Sequence, residues 1–127
     1  MIKVVLADDH ALVRAGLRRI VEEAGDMEVV AEAADGRDAI RRIQETLPDV
    51  AVVDVSMPVM SGIEATRGIK GRAPRTAVLV FTAYDYDEYV FAILEAGAAG
   101  YLLKDSRGSE LVNAVRRVHV GESVLHP

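Results

Sequence analysis

Val50-Ala51-Val52-Val53-Asp54-Val55-Ser56-Met57-Pro58 is an apolar, β-branched run that ends in one carboxylate and then meets a proline. It is too short for an ordinary helix, and an unbroken apolar strand is what a parallel sheet covered on both faces requires. The run therefore predicts a buried parallel strand that delivers Asp54 to its C-terminal edge. In open α/β sheets, ligands bind outside that edge, where the strand order reverses. Every other polar residue of chemical interest is judged by whether it reaches the same edge.

Upstream, Ile2 to Ala7 is apolar apart from Lys3 and ends at Asp8-Asp9-His10, which predicts a first strand. Ala11 to Ala24 predicts an amphipathic helix with Leu12, Ala15, Gly16, Ile20 and Ala24 on one side. Arg14, Arg18, Arg19, Glu22 and Glu23 fall elsewhere, and Gly25-Asp26 stops the helix. Met27 to Ala34 predicts the second strand, with Glu28 and Glu32 marking it as nearer a sheet edge. Asp35-Gly36 turns the chain into a helix over Arg37 to Thr46, closed by Pro48. Downstream of the Asp54 strand, Met57 to Gly62 is a loop and Ile63 to Ile69 a helix, broken by Gly71-Arg72-Ala73-Pro74. Thr76 to Phe81 predicts a fourth strand ending at Thr82-Ala83, and Asp85 to Glu95 a helix stopped at Gly97. Ala99 to Leu103 is the fifth strand, ending at Lys104. A last helix over Ser109 to Val120 packs through Leu111, Val112, Val115 and Val118, and Gly121 ends it.

Five strands alternating with five helices predict right-handed crossovers and a doubly wound, five-stranded parallel sheet. Residues 1–120 are expected to form one α/β domain, with 121–127 opening a C-terminal linker. A net charge of −5 argues against this piece gripping nucleic acid through its own surface. The absence of cysteine excludes a disulfide scaffold and a thiolate metal site. No signal peptide follows Met1, and no apolar segment approaches the ~20 residues of a membrane helix. The expectation is a soluble, cytoplasmic domain with no membrane contact.

Asp8-Asp9, Asp54, Thr82 and Lys104 each follow an apolar run, so all should project from one sheet edge. Three crowded carboxylates repel one another and call for a hard divalent cation such as Mg²⁺, bound by oxygen ligands. The Lys104 ammonium offsets more of the charge, and Thr82 offers a hydroxyl. Beside a metal and a lysine, Asp54 is held ionised and can act as a nucleophile. The same cation and ammonium suit the oxygens of a transferred phosphoryl group, which points to acyl-phosphate formation on Asp54. His10 reads as a surface residue at a helix start, and His119 and His126 as exposed positions without a role.

On Val4-Val5-Leu6-Ala7-Asp8-Asp9-His10, Val52-Val53-Asp54-Val55-Ser56-Met57-Pro58, Phe81-Thr82-Ala83 and Gly100-Tyr101-Leu102-Leu103-Lys104-Asp105, the sequence resembles the receiver domain of two-component response regulators. Gly97 to Asp105 and Gly121 to Leu125 are similar to the NarL/FixJ (LuxR-type) subfamily. The resemblance implies a flavodoxin/CheY-like sheet of order 2-1-3-4-5. It implies that Asp54 takes phosphate from a histidine of a sensor histidine kinase. Asp9 would ligate Mg²⁺ directly, Asp8 through water, and the Ser56 backbone carbonyl would complete the set with Asp54. Thr82 would hydrogen-bond the phosphoryl group, Lys104 would pair with it, and Tyr101 would be the aromatic switch that turns inward. A homodimer on phosphorylation is implied, with DNA bound only through a C-terminal helix-turn-helix domain absent from this chain. Val59 and Ser61 stand where many relatives carry glycine and aspartate. A β-branched Val59 tolerates positive φ poorly, so a different loop geometry is expected. Asp105 follows Lys104 where many receivers carry proline.

Two other readings compete. One keeps the switch but makes the chain a stand-alone receiver that docks on a partner protein. The other is a Mg²⁺-dependent phosphohydrolase working through an aspartyl phosphate. In such enzymes a second aspartate two residues after the nucleophile is the general acid, and here Ser56 occupies that place. The expectation is therefore a switch that takes phosphate from donors and loses it slowly.

Overall fold

The computed structural model describes residues 1–83 and 87–125. Strands and helices alternate: β1 (Ile2–Ala7), α1 (Ala11–Glu23), β2 (Met27–Ala33), α2 (Gly36–Thr46), β3 (Val50–Asp54), α3 (Gly62–Arg72), β4 (Ala77–Thr82), α4 (Asp87–Glu95), β5 (Gly100–Leu103) and α5 (Gly108–His119). All neighbouring strands pair in parallel, in the order β2-β1-β3-β4-β5. The α/β, doubly wound expectation and the 2-1-3-4-5 order are both met, and β2 with its two glutamates is an edge strand.

Side chains on a strand alternate between faces, so each strand feeds two cores. Val5, Ala7, Ala51, Val53, Val78, Val80 and Tyr101 pack under α2, α3 and α4 through Ala39, Ile40, Ile43, Ala65, Ile69 and Ile93. Val4, Leu6, Val50, Val52, Leu79, Phe81 and Leu102 pack on α5 and α1 through Leu111, Ala114, Val115, Val118 and Val21. Every residue of β3 is buried, as a central strand covered on both faces must be. Truncating one of its valines to alanine would cost on the order of 1–3 kcal/mol.

The helical caps are local and chemical. Asp35 accepts the Asp38 N–H at 2.8 Å and starts α2. Ser61 accepts the Glu64 N–H at 3.2 Å and starts α3, so a serine hydroxyl does the capping here. Two expectations need correction. Helix α3 continues through Gly71 to Arg72, because Ile69 still packs in the core and the Ala73 N–H closes the last turn on the Ile69 carbonyl. On α1 the packing face is Leu17, Ile20, Val21 and Ala24, whereas Leu12, Ala15 and Gly16 are exposed. The expected start of the fourth helix at Asp85, and His126, lie outside the described residues.

Val59 has φ +68°, so the left-handed turn of the loop after β3 is kept despite the β-branch. After α5 the chain turns at Gly121, and the stretch expected to begin a linker comes back to β5. Val124 bridges Gly100 in parallel, donates to the Ala99 carbonyl at 3.2 Å and accepts the Tyr101 N–H at 3.0 Å. Gly100 is glycine because a Cβ there would overlap the Val124 backbone. No helix among the described residues is long and apolar enough to cross a membrane.

Candidate functional site

Strand register brings the polar strand ends abreast. Ala7 pairs with Val53, so Asp8 emerges beside Asp54. Asp54 pairs with Phe81, which precedes Thr82, and Thr82 pairs with Leu103, which precedes Lys104. Because the pairing is parallel, all of these residues leave the sheet on one edge.

Asp54 is the buried centre, only 2% exposed. Its Oδ2 accepts from Lys104 Nζ at 3.0 Å, and its Oδ1 accepts from the Ser56 N–H at 3.1 Å. Glycine is required behind it: a Cβ at Gly62 would overlap the Asp54 carbonyl oxygen. The Val55 N–H donates to the Phe81 carbonyl, and the Gly62 N–H to the Val55 carbonyl, so the loop leaves β3 along a fixed path.

Asp8 is also buried, and its N–H donates to the Ala33 carbonyl of β2 at 3.0 Å. Asp8 Oδ1 accepts the His10 N–H at 2.8 Å. Asp9 is more open to solvent, and the His10 ring nitrogen Nδ1 lies 3.1 Å from Asp9 Oδ1 and 3.3 Å from Asp8 Oδ1. One ligand atom from each of Asp8, Asp9, His10 and Asp54 falls within 4.8 Å of the others. The structure thus brings together the carboxylates singled out from sequence and adds His10, which sequence reasoning set aside. The signal was its adjacency to Asp8-Asp9. Arg14, also set aside, reaches the Asp8 carbonyl, and only the fold could show that.

Burial pushes the Asp54 carboxyl above its ordinary range. Lys104 and the Ser56 amide pull it down, the nearby Asp8 charge pushes it up again, and the upward push wins. Among the described residues, three carboxylates facing one ammonium leave unbalanced negative charge. The oxygen-rich donor set fits a hard divalent cation, which would hold Asp54 ionised and screen the oxygens of a bound phosphoryl group.

Thr82, nearly fully buried, ends β4, and its carbonyl accepts the Lys104 N–H at 2.9 Å. Tyr101 is buried in the core under α2, α3 and α4, opposite Val80 of β4. Ala83 is exposed beside Thr82, and every peptide bond among the described residues, including Lys104–Asp105, is trans.

Comparison with known proteins agrees with the fold. The chain matches the response regulator receiver domain over residues 4–116. It is 46% identical over 124 residues to the transcriptional regulatory protein YxjL of Bacillus subtilis (strain 168), covering 98% of this chain and 57% of that protein. The oxygen regulatory protein NreC of Staphylococcus epidermidis is 47% identical over 124 residues, covering 97% of this chain and 57% of that protein. The signal receiver domain of the response regulator NarL from Mycobacterium tuberculosis superposes with a TM-score of 0.92 at 40% identity, over 95% of this chain and 98% of that one. The chain spans little more than half the length of the curated relatives it matches. Since the match runs from the first strand into the last helix, the chain belongs to the response regulator receiver domain family, as a receiver of the NarL/LuxR type.

Proposed function

We propose that Asp54 accepts a phosphoryl group from a phosphohistidine of a sensor histidine kinase, with Mg²⁺ required. An Asp54 oxygen forms the bond to phosphorus as the N–P bond of the donor breaks, and the imidazole nitrogen recovers a proton. Asp9, Asp54 and the Ser56 carbonyl would hold the cation, with Asp8 helping through water. When bound, the cation supplies counter-charge for the phosphoryl oxygens. Lys104 Nζ pairs with one of those oxygens, and the Thr82 hydroxyl donates to another.

The observation that carries this reading is a buried carboxylate met by an ammonium at 3.0 Å and by two further aspartates. Burial keeps bulk water off the acyl phosphate, and the exposed Ala83 leaves an approach for the donor. Ser56, exposed and with its N–H turned to Asp54, supplies no general acid, so fast hydrolysis is not expected. The phosphate leaves slowly, and the domain is a switch rather than a turnover enzyme.

Thr82 and Tyr101 form the switch. With Tyr101 already inward, phosphorylation holds that arrangement rather than creating it. Exposed Phe91 and Leu94 on α4 support homodimerisation as the output. The relatives' greater length supports a DNA-binding domain beyond this chain, in a cytoplasmic transcription regulator.

The test is incubation with Mg²⁺ and a small-molecule phosphodonor, read by intact mass. Added phosphate on the wild type, absent from Asp54→Asn and after chelation, is the expected result. A folded wild type that gains no phosphate from any donor or kinase would sink the reading.

A further inference from the structure

Arg14 lies in the first turns of α1, off the packing face, and is nevertheless mostly covered. Its Nη1 donates to the backbone carbonyl of Asp8 at 2.6 Å, and its Nε donates to Glu32 Oε1 at 2.9 Å. The other Glu32 oxygen accepts from Arg18 Nη1 at 2.6 Å. The Asp8 residue is therefore gripped at both ends from β2. Its N–H is held by the Ala33 carbonyl, and its C=O by a guanidinium that β2 itself holds through Glu32.

The Asp8 carbonyl and the Asp9 N–H belong to one rigid plane. Fixing the Asp8 oxygen fixes the tilt of that plane and with it the position of the Asp9 Cα from which the side chain starts. Arginine suits the task because its planar fork makes two bonds in set directions, which lysine cannot do. We propose that Arg14, clamped by Glu32, is a positioning residue for the cation site. It rests on the reading of Asp8 and Asp9 as cation ligands given above.

A simpler electrostatic view predicts the opposite sign. Arg14 is a positive charge near an acidic cluster, so removing it should strengthen the attraction for Mg²⁺. The positioning role predicts weaker binding, because groups that orient metal ligands typically matter by about 10–100-fold in affinity. The two effects compete in Arg14→Ala and separate in Arg14→Lys, where the charge stays and the fork is lost.

The experiment is titration of the folded domain with Mg²⁺ alone, followed by backbone-amide NMR shifts. The wild type is compared with Arg14→Ala, Arg14→Lys and Arg18→Ala, whose amide spectra report whether each is folded. Weakening of about tenfold in Arg14→Lys, a smaller weakening in Arg14→Ala where the lost charge offsets part of it, and Arg18→Ala close to wild type are the expected result. In phosphorylation assays the Arg14 variants should need more Mg²⁺ for half-maximal rate and recover the wild-type rate at saturation. Wild-type or tighter Mg²⁺ affinity in Arg14→Lys, where the charge is kept, overturns the positioning role alone. A wild type that binds no Mg²⁺ overturns the reading of the site itself, and the positioning role with it.

Discussion

Asp54 ends β3 and Lys104 follows β5, two strands that are not neighbours: β4, which closes with Thr82, lies between them, and Lys104 Nζ spans that gap to reach Asp54 Oδ2 at 3.0 Å. Asp54 is buried while Lys104 is about a third exposed, so the two ends of this pair differ in what their loss would do. Lys104→Met leaves a buried carboxylate with the Ser56 amide and the repelling Asp8. The expected cost is roughly 1–2 kcal/mol at neutral pH without divalent cation, less than for a fully buried pair. Urea melts should show that cost shrinking when Mg²⁺ is added and nearly vanishing in an Asp54→Asn background. An equal cost in both backgrounds would show that Lys104 acts elsewhere.

Gly62→Ala tests the close approach of α3 to β3. The new methyl would meet the Asp54 carbonyl oxygen, and backbone rather than a pliant side chain would have to give. A loss of about 1–3 kcal/mol is expected from the overlap. Because the displaced atom belongs to Asp54, phosphate uptake should fall as well. Thermal melts and intact mass on the same sample check both.

Val59→Gly tests the strained turn. Valine at φ +68° carries a penalty of roughly 1–2 kcal/mol, whereas glycine loses about 0.5–1 kcal/mol of backbone freedom on folding. Val59 is exposed, so little packing is lost. The variant should be more stable by about 0.5–1 kcal/mol in urea denaturation. A destabilised variant would mean that the valine side chain has a packing role at that turn.

Glu32 sets an acid-side dependence. Burial pushes its carboxyl up, but the Arg18 and Arg14 guanidinia outweigh burial and hold it below the ordinary 4.5. A depressed carboxylate contributes stability that is present above its ordinary value and lost as pH falls through the folded one. Asp54, raised in the fold, has the opposite slope, so the informative quantity is the difference between wild type and Glu32→Gln. Measured by urea melts from about pH 3 to pH 7, that difference should be largest near neutrality and close below pH 4.5. A gap independent of pH would assign Glu32 a purely steric role.

The sheet was legible because its strands are short apolar runs ending in polar residues, and a parallel register leaves those ends nowhere else to go. The same logic located Asp8, Asp9, Asp54, Thr82 and Lys104 on one edge before any contact was known. Helix α1 was misread because Leu12, Ala15 and Gly16 make a second uncharged stripe beside Leu17, Ile20 and Val21. The packing begins only at Leu17, leaving Leu12 and Val13 of the first turn exposed, and periodicity cannot see where a helix stops touching its sheet. Arg14 was missed for a different reason: its partners are a carbonyl six residues back and a glutamate on another strand. The turn at Val59 shows that a residue preference can be overruled where flanking contacts fix the chain, here Ser61 capping α3 and the Gly62 amide on Val55.

An outer strand normally offers a row of open amides and carbonyls to any chain that drifts past. On β5, Val124 occupies the Ala99 carbonyl and the Tyr101 amide. A chain cut after His119 would uncover both groups on a sheet edge beside the apolar surface that Val124 shields. Such a shortened protein should be more prone to stick to copies of itself. The few residues after α5 thus cover part of an edge that would otherwise stay open to another chain.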